Sequence, residues 1–367
     1  MKLENLDTPA LFIDIDTVEK NLAEMQRRID HLGLTLRPHT KAHKIPQLAQ
    51  KQIDFGAKGI CTSKLGEAEV MLEGGIKDIL ITTPIAGDTK IQRLIELHTQ
   101  YPEAQLYQVI DHPQHVDEIA LLARQSNVEV NLLIEVESGQ QRCGVAVGNN
   151  LTALIDKITN TAGVRYLGIQ AYSGHLQLIK GFDERQKQAR SAVIALFDYI
   201  DTELKPRNLT PKIISGGGTG TYQAYKGLNY TEIQAGSYLF MDASYSNIGD
   251  EEHQDRNLQF SPALKVLSTV ISHPTPNRAV IDAGMKSLSI DLGMPTVDFR
   301  QDITYQCGGD EHGILHLSSD QTLKIGQTIV LTPSHCDTTL NNFDYLHVVK
   351  NGLVVDKWKI AGRGRSD

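Results

Sequence analysis

The chain has 367 residues, 40% of them hydrophobic, which is enough for a large α/β barrel core and a smaller second domain. Its 36 Lys and Arg residues are scattered among 44 Asp and Glu residues, so the sequence gives no basis for a basic surface that would bind nucleic acid or an anionic membrane. The apolar stretches are only strand-sized and the N-terminus lacks a signal-peptide pattern, so we expect a soluble cytoplasmic protein with a small-molecule partner.

Short apolar runs alternate with amphipathic helical stretches from residue 10 to about residue 238, the pattern of a parallel β/α sheet, closed or open. Nine runs are candidate strands, one more than an eight-stranded barrel needs, so in a closed sheet the first or the last lies outside it. The runs are Ala10 to Asp14, Leu34 to His39, Gly59 to Thr62, Asp78 to Thr83, Leu106 to Asp111, Val130 to Val136, Tyr166 to Tyr172, Lys212 to Gly216 and Glu232 to Gly236.

The pattern changes after Tyr245. Residues 248–257 are polar and turn-like, and β-branched runs separated by turn signals follow them. These runs are Ala263 to Ser272, Ala279 to Asp282, Gly326 to Pro333 and Leu346 to Lys357. They predict an all-β domain at the C-terminal end of the chain.

Lys41 ends the second candidate strand, where alternating apolar residues stop at a lysine. Desolvation at the mouth of a parallel barrel lowers the pKa of an ammonium group and leaves an amine that can condense with an aldehyde such as pyridoxal phosphate. Most lysines that follow strands are instead solvated loop residues, so the local sequence leaves both interpretations open.

Three further side chains follow candidate strands. Arg142 comes after the strand that ends at Val136, and its guanidinium could orient an anion or a cofactor ring nitrogen. Tyr172 and His175 follow the next strand, where a ring could stack on a planar cofactor and an imidazole could move protons. The alternatives are a solvated arginine, a core tyrosine and a histidine with local hydrogen bonds.

A glycine-rich segment follows the strand that ends at Gly216. Glycines let backbone N–H groups approach an anion closely, and a following helix adds its positive end. In barrels the phosphate site commonly uses the last two strand ends, which here are the two glycine-containing turns. The candidate phosphate ligands are Gly217, Gly218, Thr219, Gly236 and Ser237. The Walker lysine and the spaced dinucleotide glycines are missing, which favours a phosphate monoester; the alternative is a turn that binds nothing.

His335 and Asp337 follow the candidate strand Gly326 to Pro333. If the chain stays extended, both side chains point to one side and Cys336 points to the other. Imidazole plus carboxylate suits Mn²⁺ or Mg²⁺ completed by waters and substrate, whereas imidazole plus thiolate suits Zn²⁺ better. The alternative is a hydrogen-bonded surface pair.

Together these segments resemble the metal-activated D-threonine aldolase and D-serine dehydratase family, pyridoxal-phosphate enzymes with the alanine-racemase-like barrel of fold type III. The resemblance covers nearly the whole chain. The segments that carry it are Thr8–Asp16, Arg37–Lys44, Lys64–Glu69, Arg142–Gly144, Gly216–Gly220, Gln234–Tyr238, Asp282–Gly284, Glu311–Gly313, Pro333–Asp337 and Ala361–Gly364.

The resemblance implies a (β/α)8 TIM barrel over residues 8–245, with Ala10–Asp14 outside the eight strands, and a β-domain over residues 250–367 with which the N-terminal residues associate. It also implies that Lys41 carries pyridoxal 5'-phosphate, that the two glycine turns hold its phosphate, and that Arg142 and Tyr172 face its ring. His335 and Asp337 would bind a divalent metal, and the protein would be a homodimer.

The family's chemistry implies a lyase that acts on 3-hydroxy-D-amino acids. Loss of the hydroxyl proton cleaves Cα–Cβ and gives glycine plus acetaldehyde from D-threonine, whereas loss of the α-proton to Lys41 gives a keto acid and ammonia. His-x-Asp is similar to the aldolase version and His-x-Cys to the dehydratase version, so Asp337 favours an aldolase. Some aldolases carry a histidine where this chain has Leu178, which leaves His175 or a metal-bound hydroxide as the candidate base.

Three alternatives differ in product or in architecture. The nearest is a dehydratase of D-serine or of another 3-hydroxy-D-amino acid. An amino-acid racemase is disfavoured because it would have no use for metal ligands. A non-catalytic pyridoxal-phosphate carrier has a similar barrel but ends with it, so the additional β-domain argues against that function.

Overall fold

The chain folds into two compact units in this computed structural model, which describes residues 1–318 and 323–367. The first unit comprises Met1–Met25, Ala42–Ile45 and Ser237–Gly364, and the second comprises Gln26–Lys41, Pro46–Gly236 and Arg365–Asp367. Of residues 8–245, for which the resemblance implies the barrel, residues 8–25, 42–45 and 237–245 lie in the first unit. Among the described residues, no helix has the length and apolar character to cross a membrane.

Nine strands precede Ser237. They are β1 (Ala10–Asp14), β2 (Thr35–Leu36), β3 (Ile60–Thr62), β4 (Asp78–Ile81), β5 (Gln105–Ile110), β6 (Val130–Glu135), β7 (Val164–Ala171), β8 (Ile213–Gly216) and β9 (Glu232–Ile233). Strands β2 to β9 form one sheet in the order β2-β9-β8-β7-β6-β5-β4-β3, and every neighbouring pair is parallel.

This sheet closes on itself between β2 and β3. The backbone N–H of Lys58 donates to the carbonyl of Leu36 at 2.9 Å, and that of Cys61 donates to Pro38 at 2.8 Å. His39 and Cys61 also form a parallel bridge. Eight parallel strands without a free edge make a (β/α)8 barrel, so the predicted barrel is confirmed and β1 lies outside it.

A helix lies in each connection from β1 to β8. These helices are α1 (Ile15–His31), α2 (Pro46–Asp54), α3 (Leu65–Glu73), α4 (Asp88–Gln100), α5 (Pro113–Gln125), α6 (Asn149–Thr159) and α7 (Phe182–Tyr199). Their apolar residues recur at helical spacing; in α4, for example, Ile91, Leu94 and Ile95 are buried. The first position of α5 is Pro113, and Nδ1 of His112 accepts the N–H of Gln114 at 3.2 Å, which explains where this helix begins.

The barrel interior contains one apolar cluster and one buried arginine. The cluster consists of Cys61, Leu80, Tyr107, Val109, Leu133 and Ile213. Arg37 is 1% exposed and pairs with Asp78 and with Glu232, the second contact being 2.8 Å. A buried guanidinium needs such carboxylate partners, because an unpaired charge in the interior is strongly destabilising.

The remaining strands and a short α-helix lie in the first unit. They are β10 (Leu264–Thr275), β11 (Arg278–Ile281), β12 (Thr296–Val297), β13 (Ile303–Cys307), β14 (Gly313–Leu317), β15 (Thr328–Thr332), β16 (Tyr345–Lys350), β17 (Leu353–Lys359) and α8 (Cys336–Leu340). The sheet order is β11-β14-β13-β12-β15-β10-β1-β16-β17, and β10 also pairs with β11. Six strands therefore close into an antiparallel barrel, which confirms the predicted all-β domain. Strand β1 joins β10 in antiparallel and β16 in parallel register.

Candidate active site

The carboxyl ends of five neighbouring barrel strands carry the predicted cofactor residues of the second unit. Lys41 follows β2, Gly236 follows β9, the glycine run follows β8, Tyr172 follows β7 and Arg142 follows β6. These strands are consecutive in the sheet. Parallel strands bring their carboxyl ends to one edge, so residues far apart in sequence share one rim of the barrel.

Lys41 lies in a short 3-10 turn, Thr40–Ala42, immediately beyond β2. The hydroxyl of Thr40 donates to the carbonyl of Cys61 at 2.9 Å, which ties this turn to the end of β3. The backbone N–H of Lys41 donates to Nδ1 of His39 at 3.3 Å, and the lysine itself is half-buried. The backbone that carries the amine is therefore fixed by the side chains of Thr40 and His39.

The glycine run Gly216–Gly220 packs against Gln177. A Cβ atom at Gly218 would lie 2.5 Å from Oε1 of Gln177, and one at Gly220 would lie 2.1 Å from its carbonyl. The N–H of Gly220 donates to Oε1 of Gln177 and the N–H of Gly218 donates to the hydroxyl of Thr221, both at 3.1 Å. Sequence reasoning missed Gln177, because an isolated glutamine gives no signal of such a contact.

The second glycine turn lies beside the lysine turn. A Cβ atom at Gly236 would lie 2.7 Å from the carbonyl oxygen of His39, so only glycine fits between β9 and β2 at this point. Gly217 has a positive φ of 71°, which also favours glycine. Ser237 begins the following 3-10 turn, Ser237–Leu239, which belongs to the first unit.

Arg142 and Tyr172 are brought together although they are thirty residues apart in sequence. The guanidinium carbon lies 5.8 Å from the centre of the tyrosine ring, a cation–π arrangement. The loops that carry them are joined by the hydroxyl of Ser138, which donates to the Tyr172 carbonyl at 3.0 Å, and by the N–H of Gly174, which donates to Oε1 of Gln140 at 3.1 Å.

Glu135 is a buried acid beside this arginine that the sequence interpretation did not select. Its Oε1 lies 4.0 Å from Nη2 of Arg142, and its side chain is 4% exposed. Burial raises the pKa of Glu135 to about 8, although the contacts with Gln170 and Arg142 oppose this shift. The available signal was a glutamate inside the apolar run Val130 to Val136.

His175 lies in the loop that follows β7, within the 3-10 turn Gly174–Leu176. It is exposed, and its Nε2 lies 3.3 Å from the position of a Cβ atom on Gly139, in the arginine loop. Leu178, two residues beyond this turn, is half-buried. The imidazole thus lies beside the loop that carries Arg142.

In the first unit, the backbone from His335 to Asp337 is not extended throughout. His335 has extended angles, φ −144° and ψ 116°, but helix α8 begins at Cys336, so Asp337 lies in a helical turn and strand alternation does not apply. Cys336 is fully buried, and its thiol donates to the carbonyl of Met241 at 3.2 Å. Burial also raises the pKa of this thiol.

Two atoms of this turn suit a cation. Nδ1 of His335 is engaged by Asp291 at 2.7 Å, which leaves Nε2 as the nitrogen that can bind a metal. Oδ1 of Asp337 is buried and has no hydrogen-bond partner among the described residues. The same residues contain no cluster of three or more His, Cys, Asp or Glu side chains able to hold a metal, so water or substrate would complete the shell.

Asp242 and Asp291 support this turn and were not identified from the sequence. Asp242 accepts the N–H of Cys336 at 3.2 Å and that of Tyr245 at 2.8 Å, and burial raises its pKa to about 6 despite these bonds. For Asp291, partial burial is outweighed by hydrogen bonds from Ser289 and His335, which lower its pKa. Both carboxylates are more than forty residues from His335 in sequence, so no local pattern relates them to it.

Known proteins similar to this chain cover its full length. Residues 13–244 match the model of the alanine racemase N-terminal domain, and residues 263–349 match that of a putative serine dehydratase domain. A D-threonine aldolase of Arthrobacter sp. is 36% identical over 99% of this chain and 94% of its own length. The chain belongs to the family of D-threonine aldolases and D-serine dehydratases. The family consists of pyridoxal-phosphate-dependent lyases, so the predicted enzyme class is confirmed.

Other family members show the same relation. The 3-hydroxy-D-aspartate aldolase of Paracoccus denitrificans (strain Pd 1222) is 34% identical over 100% of this chain and 94% of its own. The crystal structure of D-threonine aldolase from Filomicrobium marinum has a TM-score of 0.94 at 33% identity, covering 100% of this chain and 98% of that one. A D-threo-3-hydroxyaspartate dehydratase of Delftia sp. (strain HT23) is less similar, at 31% identity over 83% of this chain and 77% of its own.

Proposed function

We propose that the protein is a pyridoxal-phosphate- and divalent-metal-dependent lyase of 3-hydroxy-D-amino acids, and that it cleaves D-threonine into glycine and acetaldehyde. The observation that carries the choice of aldolase is the similarity along the full length to D-threonine aldolases. The pair His335 and Asp337 is consistent with the choice of aldolase. Its imidazole and carboxylate suit Mn²⁺ or Mg²⁺, whereas an imidazole with a thiolate would suit Zn²⁺ better.

The barrel rim supports pyridoxal phosphate as the cofactor. Lys41 supplies the amine that attaches it, and the cation–π pair of Arg142 and Tyr172 supplies a planar, positively charged surface for its ring. Bound there, the cofactor supplies an electron sink for a bond broken at the substrate Cα.

The phosphate would be held by the two glycine turns. We assign the phosphate donors to Gly217, Thr219 and the Gly236–Ser237 turn. The N–H groups of Gly218 and Gly220 donate within the protein. Gly218 then contributes space rather than a donor.

The turn at His335 supports a divalent cation. Nε2 of His335 and Oδ1 of Asp337 are its proposed ligands, and nitrogen plus carboxylate oxygen suits Mn²⁺ or Mg²⁺, with Zn²⁺ as the competitor. Bound there, the cation supplies Lewis acidity toward the substrate hydroxyl. We assign the acceptance of the hydroxyl proton to His175, which is exposed and bears an imidazole.

We also propose a homodimer. In the first unit, the apolar residues Leu292, Met294 and Phe299 are exposed. Phe299 is fully exposed, with a relative accessibility of 101%. Exposed apolar side chains at this density are typical of a surface covered by a second copy. Light scattering coupled to size-exclusion chromatography gives the molecular mass of the wild-type protein and of Phe299→Ser and so tests the homodimer. A monomeric wild-type protein would contradict the proposal.

The function is tested with cofactor-loaded protein, D-threonine and Mn²⁺, with and without a chelator. We expect glycine and acetaldehyde in amounts that the chelator abolishes, and no product from L-threonine. Formation of 2-oxobutyrate and ammonia would instead establish the dehydratase, which the match to a serine dehydratase domain keeps as the second candidate. Assaying 3-hydroxy-D-aspartate in parallel separates the two aldolase substrates.

A further inference from the structure

His39 is a buried histidine beside the proposed cofactor lysine, and the proposed function gives it no part. The residue is 8% exposed, and its backbone N–H donates to the carbonyl of Ala235 at 3.2 Å. Its backbone also bridges to Cys61, where the barrel closes. The imidazole is therefore held at the seam between β2, β3 and β9.

The contact with Thr82 determines where the imidazole proton lies. The hydroxyl of Thr82 donates its single hydrogen to the carbonyl of Thr62 at 3.0 Å. The same hydroxyl lies 3.1 Å from Nε2 of His39, so in that contact the imidazole must be the donor. His39 thus carries its proton on Nε2.

The other ring nitrogen faces Lys41. With the proton on Nε2, Nδ1 of the neutral ring has a lone pair, and it accepts the backbone N–H of Lys41 at 3.3 Å. The alternative tautomer would place two N–H groups against each other at this contact. A chain of hydrogen bonds therefore runs from the end of β3, through Thr82 and His39, to the backbone of Lys41.

We propose that His39 is a positioning residue for Lys41: its neutral Nε2–H tautomer, fixed by Thr82, holds the lysine backbone in the conformation that presents the amine to the cofactor. This role rests on the proposed function, because it presumes that Lys41 is the attachment site. His39 itself touches neither cofactor nor substrate in this proposal.

A matched pair of substitutions separates the two ends of the ring. His39→Asn can keep an acceptor for Lys41 at the position of Nδ1 but loses the donor toward Thr82. His39→Gln can keep a donor toward Thr82 but loses the acceptor. The measurement is the rate at which cofactor-free protein forms its bond with pyridoxal phosphate, trapped by borohydride and quantified on the Lys41 peptide by mass spectrometry.

We expect His39→Asn to form this bond within about twofold of the wild-type rate and His39→Gln to form it about fivefold more slowly, the effect of one net hydrogen bond. Equal rates for the two variants, or a slower His39→Asn, would overturn the proposal. Thermal unfolding midpoints of both variants show whether any loss follows general destabilisation, which would slow both.

A second pair keeps the test decisive if the His39 variants do not fold. Thr82→Ser retains the hydroxyl, whereas Thr82→Val retains the shape without it. We expect the rate for Thr82→Val to fall about fivefold below wild type, because the tautomer of His39 is then no longer fixed, and the rate for Thr82→Ser to match wild type; equal rates would overturn the proposal. Lys41→Ala separates the role of His39 from the proposal that Lys41 attaches the cofactor. If borohydride trapped the cofactor on another residue of this variant, Lys41 would not be the attachment site.

Discussion

Asp291 holds His335 through a 2.7 Å contact between Oδ2 and Nδ1, and this contact sets which nitrogen of the imidazole is available. A hydrogen bond to a carboxylate places the ring proton on Nδ1 and leaves the lone pair of Nε2 for a cation. Asp291 is itself anchored by hydroxyl groups of Ser289 at 2.6 Å and Thr338 at 3.1 Å. The ring is thus oriented before any metal arrives.

Replacing Asp291 with alanine therefore weakens metal binding while the ligands themselves remain. We expect Asp291→Ala to lower the affinity for Mn²⁺ about 10- to 100-fold, the usual effect of losing such a supporting carboxylate. The electron paramagnetic resonance signal of free Mn²⁺ during titration measures this. The matched control is Asp310→Ala, an exposed carboxylate of the same unit paired with Lys286. Equal losses in the two variants would contradict a specific role for Asp291.

Asp337 sets the metal preference of the same turn. Exchanging its carboxylate for a thiolate favours Zn²⁺ over Mn²⁺, because sulfur is the softer ligand. We expect Asp337→Cys to raise the ratio of Zn²⁺ to Mn²⁺ affinity about tenfold or more. Competition between the two metals, followed by equilibrium dialysis, gives this ratio for both proteins. An unchanged ratio would mean that Asp337 does not bind the metal.

The fold could be predicted from the sequence because the patterns that specify it lie in short, contiguous segments. Eight apolar runs separated by amphipathic helices specify a parallel barrel, and each run corresponds to a strand. The pattern left open whether the first or the last of the nine runs lies outside the barrel, because Ala10–Asp14 is as apolar as the others. Its place in the other sheet depends on pairing with Leu264–Thr275, some 250 residues away, which no local pattern encodes.

The site could be predicted only in part, because some of its contacts join segments that are far apart in sequence. Residues at strand ends, such as Lys41 and Arg142, follow from the barrel pattern. The groups that support other parts of the site come from other loops: Gln177 packs against the glycine run, and Asp291 orients His335. The condition of an extended backbone from His335 to Asp337 is not met, because helix α8 begins at Cys336, whose N–H donates to Asp242 from another segment. Tertiary contacts override strand alternation there.

Glu135 makes stability depend on pH. Its pKa is raised from an ordinary value of 4.5 to about 8 by burial, so between these values the folded protein binds a proton that the unfolded chain releases. The contribution is therefore fully present below about pH 4.5 and is lost as the pH rises through about 8, by at most about 5 kcal/mol.

Glu135→Gln removes this titration and keeps an oxygen that can accept from Gln170. We expect the unfolding free energy of the variant to gain on that of wild type as the pH rises from about 5 to 8, and the difference to level off above that. Urea unfolding of the cofactor-free proteins at several pH values measures it. Glu129→Gln, which is half exposed and lies just before β6, is the matched control. A difference in unfolding free energy that stays constant with pH would contradict the raised pKa of Glu135.

Gly218 is required because of Gln177. A methyl group at position 218 would lie 2.5 Å from Oε1 of Gln177, the same oxygen that holds the N–H of Gly220. Overpacking at such a point typically costs about 1–3 kcal/mol, so we expect Gly218→Ala to weaken pyridoxal phosphate about tenfold or more. Equilibrium binding, followed by the absorbance of the bound cofactor, measures the loss.

The double variant Gly218→Ala with Gln177→Ala tests the cause of this loss. Removing the glutamine side chain relieves the clash at Gly218, so we expect the double variant to bind the cofactor more tightly than Gly218→Ala alone, although the bond to Gly220 is gone. The comparison is Gly236→Ala, whose methyl group would meet the backbone carbonyl of His39 at 2.7 Å, a contact that no side-chain truncation relieves. If the double variant binds no better than the single one, the requirement for glycine at 218 arises from the bound phosphate and not from the packing of Gln177.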